Sequence, residues 1–252
     1  MLWIHQLGFQ NSNYKQENKD LLKKAMVIIL ILLTIGAAIG AIFMFQGYKK
    51  ATGDYQILLL YVEPNKSSTG IGTVDMAFVV YMRNYDAINM TPIYPDGMYH
   101  PNATSPAQVQ QQGGGQRLLL QDTLMTNNTE TGAKLAQETV EYNTGIKTDA
   151  VVIMTPAAVG AMIDAVGPLY VEDMGYVNSS TAKTMANEQN LHQTRGYSLY
   201  DVMRTLMETY HTLKRPLLLL AVANQYQQGN IIAIPKELFI QLGIASGTNK
   251  LK

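Results

Sequence analysis

The segment GAKLAQETVEYNTGIKTDAVVIMTPAAVGAMIDAVGPLYVED, Gly132 to Asp173, decides the fold class, because the spacing of its apolar residues changes along its length. From Thr131 to Thr144, Ala133, Ala136 and Val140 recur at helical spacing, Glu138 and Glu141 face away with Glu130 just before them, and Gly145 marks a stop. Val151-Val152-Ile153 is then a short continuous apolar run, the pattern of a strand covered on both faces. Thr155-Pro156 reads as a helix start, with a hydroxyl to cap free amides and a proline at the first helical position. Ala158, Val159, Met162 and Ile163 form the inner face of that helix, Gly167 ends it, and Leu169-Tyr170-Val171 returns as a strand. Alternation of this kind predicts an α/β layer structure.

Upstream, Ile57 to Val62 reads as a second buried strand, and Val74 to Met82 with Ile88 to Tyr94 as a hairpin turning at Asn84-Tyr85-Asp86. Strands at 56–62, 74–82, 88–94, 149–154, 168–172 and 231–234 are expected to share one sheet. From Pro95 to Gly115 the chain is rich in Pro, Asn, Gln and Gly and reads as a long surface excursion, its Gly113-Gly114-Gly115 a loop rather than a phosphate cradle. Downstream, Leu199, Val202, Met203, Leu206, Tyr210 and Leu213 define an amphipathic helix from Ser198, in the cap position, to Lys214. A further helix runs from Pro216 to Gln228, followed by the last strand and a short helix over 235–242. The expected fold over 56–252 is a single layered α/β domain, a mixed β-sheet with helices on both faces.

Working outward to the N-terminus, Ala25 to Tyr48 carries no charged residue. A helix needs about 20 apolar residues to cross a bilayer, so the stretch is long enough to span. Its length and the run Ile42-Phe43-Met44-Phe45 after the small residues favour an uncleaved signal anchor over a cleaved signal or a core helix. The expected order is a cytoplasmic head over 1–24, an anchor in membrane lipid over 25–48, a linker over 49–55 and an extracytoplasmic domain over 56–252. Lys15, Lys19, Lys23 and Lys24 before the anchor, against Lys49 and Lys50 after it, support that orientation. So do the Asn-x-Ser/Thr acceptors, which all follow the anchor: Asn65, Asn89, Asn102, Asn127 and Asn178. Asn89 reads as a strand residue, which leaves the other four as glycosylation candidates. Gly36-x-x-x-Gly40 would let two anchor helices approach closely as a homodimer.

Composition excludes several classes. The 19 Lys plus Arg balance 19 Asp plus Glu, which leaves no electrostatic footprint for nucleic acid. With no cysteine, disulfides, thiol nucleophiles and zinc–thiolate sites are impossible. The 4 histidines are scattered, and neither a Walker loop nor a G-x-S-x-G elbow occurs.

The order within Gly132 to Asp173 is a helix, a T-G-hydrophobic turn, an Asp-plus-hydrophobic strand, a proline-initiated helix and a G-P-hydrophobic strand. It resembles the core of domain-of-unknown-function family 4012. The stretches ILLLYVEPNKSSTGIGTVDMAFVV and INMTPIYPDGMYHP resemble the versions of that family found in methanogenic archaea. The likeness covers residues 56 to 245 and implies an α/β fold with no assigned activity.

A more distant resemblance is to the LytR-CpsA-Psr family, anchored outer-surface α/β domains that move glycan polymers from a polyprenyl pyrophosphate lipid to the cell wall. That family shows an I-L-L-L-G strand, a Ser-Asp pair opening the next strand, an I-P-R-D-T closure and two later arginines. Ile57 to Leu60 is similar to the first strand, Asp75 sits at the first aspartate, and Asp96 aligns with the second. The resemblance implies that Asp75 and Asp96 act catalytically and hold Mg2+ or Mn2+, because paired carboxylates carry the ion that neutralises developing charge. It also implies phosphate-binding arginines, for which Arg117, Arg195 and Arg204 are the candidates. The arginine expected before the second aspartate is replaced by Pro95, in Ile93-Tyr94-Pro95-Asp96-Gly97. Three readings follow. The favoured one is a cell-envelope glycan- or lipid-binding domain without the full catalytic set. The others are a metal-dependent phosphotransferase acting on polyprenyl-pyrophosphate-linked glycans, and a structural subunit of a surface assembly.

Overall fold

Strand β1, Asp54–Pro64, sends Leu58, Leu60 and Val62 into one apolar cluster and Ile57, Leu59 and Tyr61 into another, so both faces of its sheet are covered. The computed structural model describes residues 54–64, 70–84, 86–172, 174–180 and 192–237, without the side chains of 192–197. β1 lies at the centre of a five-stranded sheet with β2 (Gly72–Arg83), β3 (Asp86–Ile93), β6 (Ala150–Met154) and β9 (Ile231–Ile234), in the order β3-β2-β1-β6-β9. β1 pairs antiparallel with β2 and parallel with β6, while β3 and β9 add antiparallel edges. The sheet is therefore mixed, as expected.

One face packs on α2, Thr129–Thr144, through Ala133, Ala136 and Val140. Asn128 caps this helix, its Oδ1 accepting the Thr131 amide at 2.9 Å, and Gly145 closes it at φ 74°, a backbone that glycine adopts without steric cost. The opposite face carries α3 (Pro156–Val166), α4 (His192–Tyr210) and α5 (Arg215–Gln227), with Ile163, Val202, Leu206 and Leu218 all buried there. Burying one such side chain contributes roughly 1.5–3 kcal/mol. Tyr200 stacks on Phe78 of β2 at 6.5 Å, and His211 reaches the Ala87 carbonyl at 3.0 Å, so α4 runs along the β2–β3 hairpin.

Several expectations change. The strand at 168–172, β7 (Leu169–Val171), does not join the main sheet; it pairs with β8 (Gly175–Val177) in its own ribbon. Both edges of β6 are already occupied by β1 and β9, so no place remains beside it. The excursion from Pro95 to Gly115 contains β4 (Tyr99–Thr104) and α1 (Ala107–Gln111), and β4 pairs with β5 (Arg117–Leu119). His100 pins β4 to α2: its Nε2 lies 2.9 Å from Glu138 Oε2, while its Nδ1 accepts the amides of Asn102 and Ala103 at 3.1 and 2.8 Å. Ser198 lies inside α4 rather than at its cap, and Leu213 falls in the turn after it, 96% exposed.

Among the described residues no helix is long and apolar enough to cross a membrane. The head, the segment read as an anchor with Gly36 and Gly40, residues 49–53, Asn65 and the end of the chain from 238 lie outside those residues.

Candidate functional site

In a sheet containing parallel strands, ligands bind beyond the carboxyl ends, where connections leave in opposite directions. β1 and β6 meet this condition: β1 continues into β2 on one side, and β6 leads through α3 towards β9 on the other. Antiparallel pairing brings the start of β2 and the end of β3 to the same edge, with Glu63 opposite Thr73 and Ile93 opposite Ala77.

Asp75 occupies a special place there. Tyr61 pairs with Met76 and Val62 with Val74, so Asp75 is the extra residue of a β-bulge, half-buried where the ladder skips. Bulges re-aim side chains and recur beside active sites. Asp96 stands at this end too, exposed in the turn in which the Met98 amide donates to the Pro95 carbonyl at 3.2 Å. The two aspartates thus share one end of the sheet. Among the described residues, however, no group of three or more His, Asp or Glu side chains is arranged to hold a metal ion.

The arginines are more dispersed. Arg117 is exposed, with its guanidinium 4.6 Å above the Tyr99 ring. Arg204 pairs with Asp201 on the same helix at 3.6 Å, and its buried Nε has no hydrogen-bond partner. Arg195 is on α4, five residues before Tyr200 and so about 7.5 Å further along the axis, towards the start of β2; its side chain lies outside those described. Of the acceptor asparagines, Asn89, Asn102, Asn127 and Asn178 are exposed, and the Ser180 hydroxyl donates to Asn178 Oδ1 at 2.6 Å.

Two further groups lie at this end, one expected to act as a helix cap and one that the sequence reading missed. Thr155 occupies the N-cap of α3, yet its hydroxyl makes no capping bond and is buried without a hydrogen-bond partner. Such a group costs free energy unless something outside the fold completes it. Beside it lies the N-terminus of α3, with the partial positive charge that favours anions. The second group is Asp122, in the 3-10 turn Leu120–Asp122, whose segment docks on the start of β2 through the Ile71 amide and the Leu124 carbonyl at 3.0 Å. A Cβ at Gly70 would overlap that carbonyl oxygen, so only glycine permits the approach. Burial raises the Asp122 pKa above the usual carboxylate range, against a smaller lowering by a hydrogen bond from the Gln121 side chain. Thr155-Pro156 correctly marks the helix start but not the missing cap bond, and an isolated aspartate such as Asp122 carries no signal in sequence.

The described residues form an α/β domain with a mixed five-stranded sheet, and two aspartates and a helix N-terminus lie beyond its parallel carboxyl ends. The chain belongs to the family described as protein of unknown function DUF4012, whose model matches residues 52–190. No curated protein sequence matches it. Its fold is similar to that of LytR-CpsA-Psr proteins: TagV of B. subtilis, at 16% identity and TM-score 0.53 over 78% of this chain and 81% of that one, and TagT bound to LIIa-WTA, at 13% and 0.50 over 79% and 77%. At such identities the likeness establishes the fold.

Proposed function

We propose that this chain is a membrane-anchored extracytoplasmic domain that binds an envelope glycan, or a lipid carrying one, at the carboxyl end of β1 and β6. Pro95 carries the reading: it stands before Asp96 where the resembled motif has an arginine, and a pyrrolidine ring offers no charge-assisted bond to phosphate. The similarity of fold to TagV and TagT supports a cell-envelope role. Ala25 to Tyr48 supplies the anchor, and the lysine asymmetry around it sets the N-terminus inside. Apolar contacts and neutral hydrogen-bonding groups then provide affinity, with orientation from Thr155 and the start of α3.

The test is calorimetric titration of the full chain, in detergent, with a polyprenyl-pyrophosphate-linked oligosaccharide. Affinity is expected to survive both EDTA and Asp75→Asn. Loss under both treatments, with Mg2+- or Mn2+-dependent glycan transfer by the native chain, would reinstate a phosphotransferase in its place. No binding under any condition would leave a structural subunit.

A further inference from the structure

The opposite end of the sheet, where β1 begins, carries an apolar face that the fold leaves uncovered. Leu213, Leu217 and Leu220 are 96%, 48% and 60% exposed, and Pro216 between them is exposed as well. They follow helical spacing from the α4–α5 turn along the first turns of α5. Ile88 of β3 is 50% exposed near the same turn. Isolated exposed leucines need no explanation, but Leu213 in the turn with Pro216, Leu217 and Leu220 on the helix form a patch that marks an interaction surface.

Its position follows from a row of pairings. Asp54, the first described residue of β1, is opposite Arg83, and Arg83 is opposite Asp86. Arg83 Nε bonds Asp54 Oδ1 at 3.1 Å, and Arg215 Nη1 bonds Asp86 Oδ1 at 3.0 Å. Pro216 and Leu217 immediately follow Arg215. With strands about 4.8 Å apart, the apolar stripe starts only ~10–15 Å from the point where the chain enters the domain. Between the expected anchor and Asp54 there are 49–53, a stretch that spans at most about 18 Å when fully extended. With the anchor proposed above, so short a tether limits the start of β1 to within about 18 Å of the bilayer.

We infer that the Leu213–Leu220 face is a membrane-contact surface that lies in the interfacial layer of the lipid and holds the sheet upright, with the carboxyl-end site pointing away. The inference rests on the anchor proposed above. Lys214 and His211 border the face and suit it to phospholipid headgroups, while Arg83 is paired with Asp54, and Asp54 and Glu208 are the acidic neighbours. β1 is 11 residues long, so the site stands about 35 Å further from the bilayer than this face. Of the two ligands proposed above, that position favours the glycan over the lipid that carries one.

Because the chain has no cysteine, single-cysteine variants can be labelled without background. Full-length Leu217→Cys, Leu220→Cys and Asp96→Cys, each carrying an environment-sensitive fluorophore, are reconstituted in phosphatidylcholine–phosphatidylglycerol vesicles containing nitroxide-labelled lipid. The labels at 217 and 220 are expected to be quenched several-fold more than the label at 96. Equal quenching, with the chain retained after alkaline carbonate, overturns the surface and leaves the anchor standing. Release by carbonate overturns both. Cross-linking between Leu217→Cys copies without lipid quenching would assign the face to a second copy of the chain instead.

Discussion

The two ends of the sheet treat their polar groups in opposite ways. Where β1 begins, Asp54 is bonded to Arg83, Asp86 to Arg215, and Arg215 also bonds the Tyr210 hydroxyl at 2.6 Å and lies 4.1 Å over its ring. Where β1 ends, the ladder skips at Asp75, the Thr155 hydroxyl is buried without a hydrogen-bond partner, and Asp122 holds its proton more tightly than an ordinary carboxylate. Paired charges close a structure, whereas groups the fold leaves incomplete retain the capacity to bind something else. At the first end the charges are paired with one another beside an exposed apolar patch, with the Arg215 Nε left unbonded; at the second the buried Thr155 hydroxyl has no hydrogen-bond partner and Asp122 is buried.

The largest effect comes from breaking the layer both ends share. Leu206→Asp or Met162→Asp places an unpaired charge in the buried cluster beneath α3 and α4, at a cost of several kcal/mol against a total of about 5–15 kcal/mol. Circular dichroism should show the cooperative melt lost; a normal melting temperature would mean that these faces are not buried. Next in size, Asp86→Ala leaves the Arg215 guanidinium buried without its carboxylate and should lower stability by about 3 kcal/mol in urea, with ligand affinity at the far end unchanged. If affinity fell in step with stability, the two ends would not be independent.

Asp122→Asn sharpens the contrast by pH. Burial raises the folded-state pKa of Asp122, so its favourable contribution is complete below the ordinary carboxylate value and is lost as pH rises through the raised one. The asparagine variant escapes that loss. Its melting temperature should exceed that of the native chain at neutral pH, and the difference should vanish below about pH 4. Identical pH profiles would show that the Asp122 charge is compensated by a neighbour.

Much of the architecture was legible in the sequence because it follows from apolar spacing. Ile57 to Val62, Val151 to Ile153 and the helix from Pro156 announce themselves by run length, period and a proline. What was hidden depends on competition between distant segments. Leu169 to Val171 has a strand's alternation, but whether it joins the main sheet is decided by β9, more than fifty residues later, filling the edge of β6. β4 was masked by its Asn and Pro content, although His100 and Glu138 fix it on α2. At the site, Asp75 and Asp96 were expected and do reach the same end of the sheet, whereas the bulge, the uncapped Thr155 and the buried Asp122 arise from register and packing.

The parallel pairing of β1 with β6 also imposes an order in time. The Gln56 amide finds the Asp149 carboxylate 93 residues away, so the centre of the sheet cannot close until the chain has been made beyond Met154. Until then the β1–β2–β3 meander, whose contacts are local, presents Ile57 to Tyr61 as an open edge, the kind of surface that pairs with other chains. If the domain emerges across a membrane N-terminus first, β6 and the helices that follow it double as its protection from aggregation, and delays in delivering residues 150–154 should matter more to its yield than delays anywhere downstream.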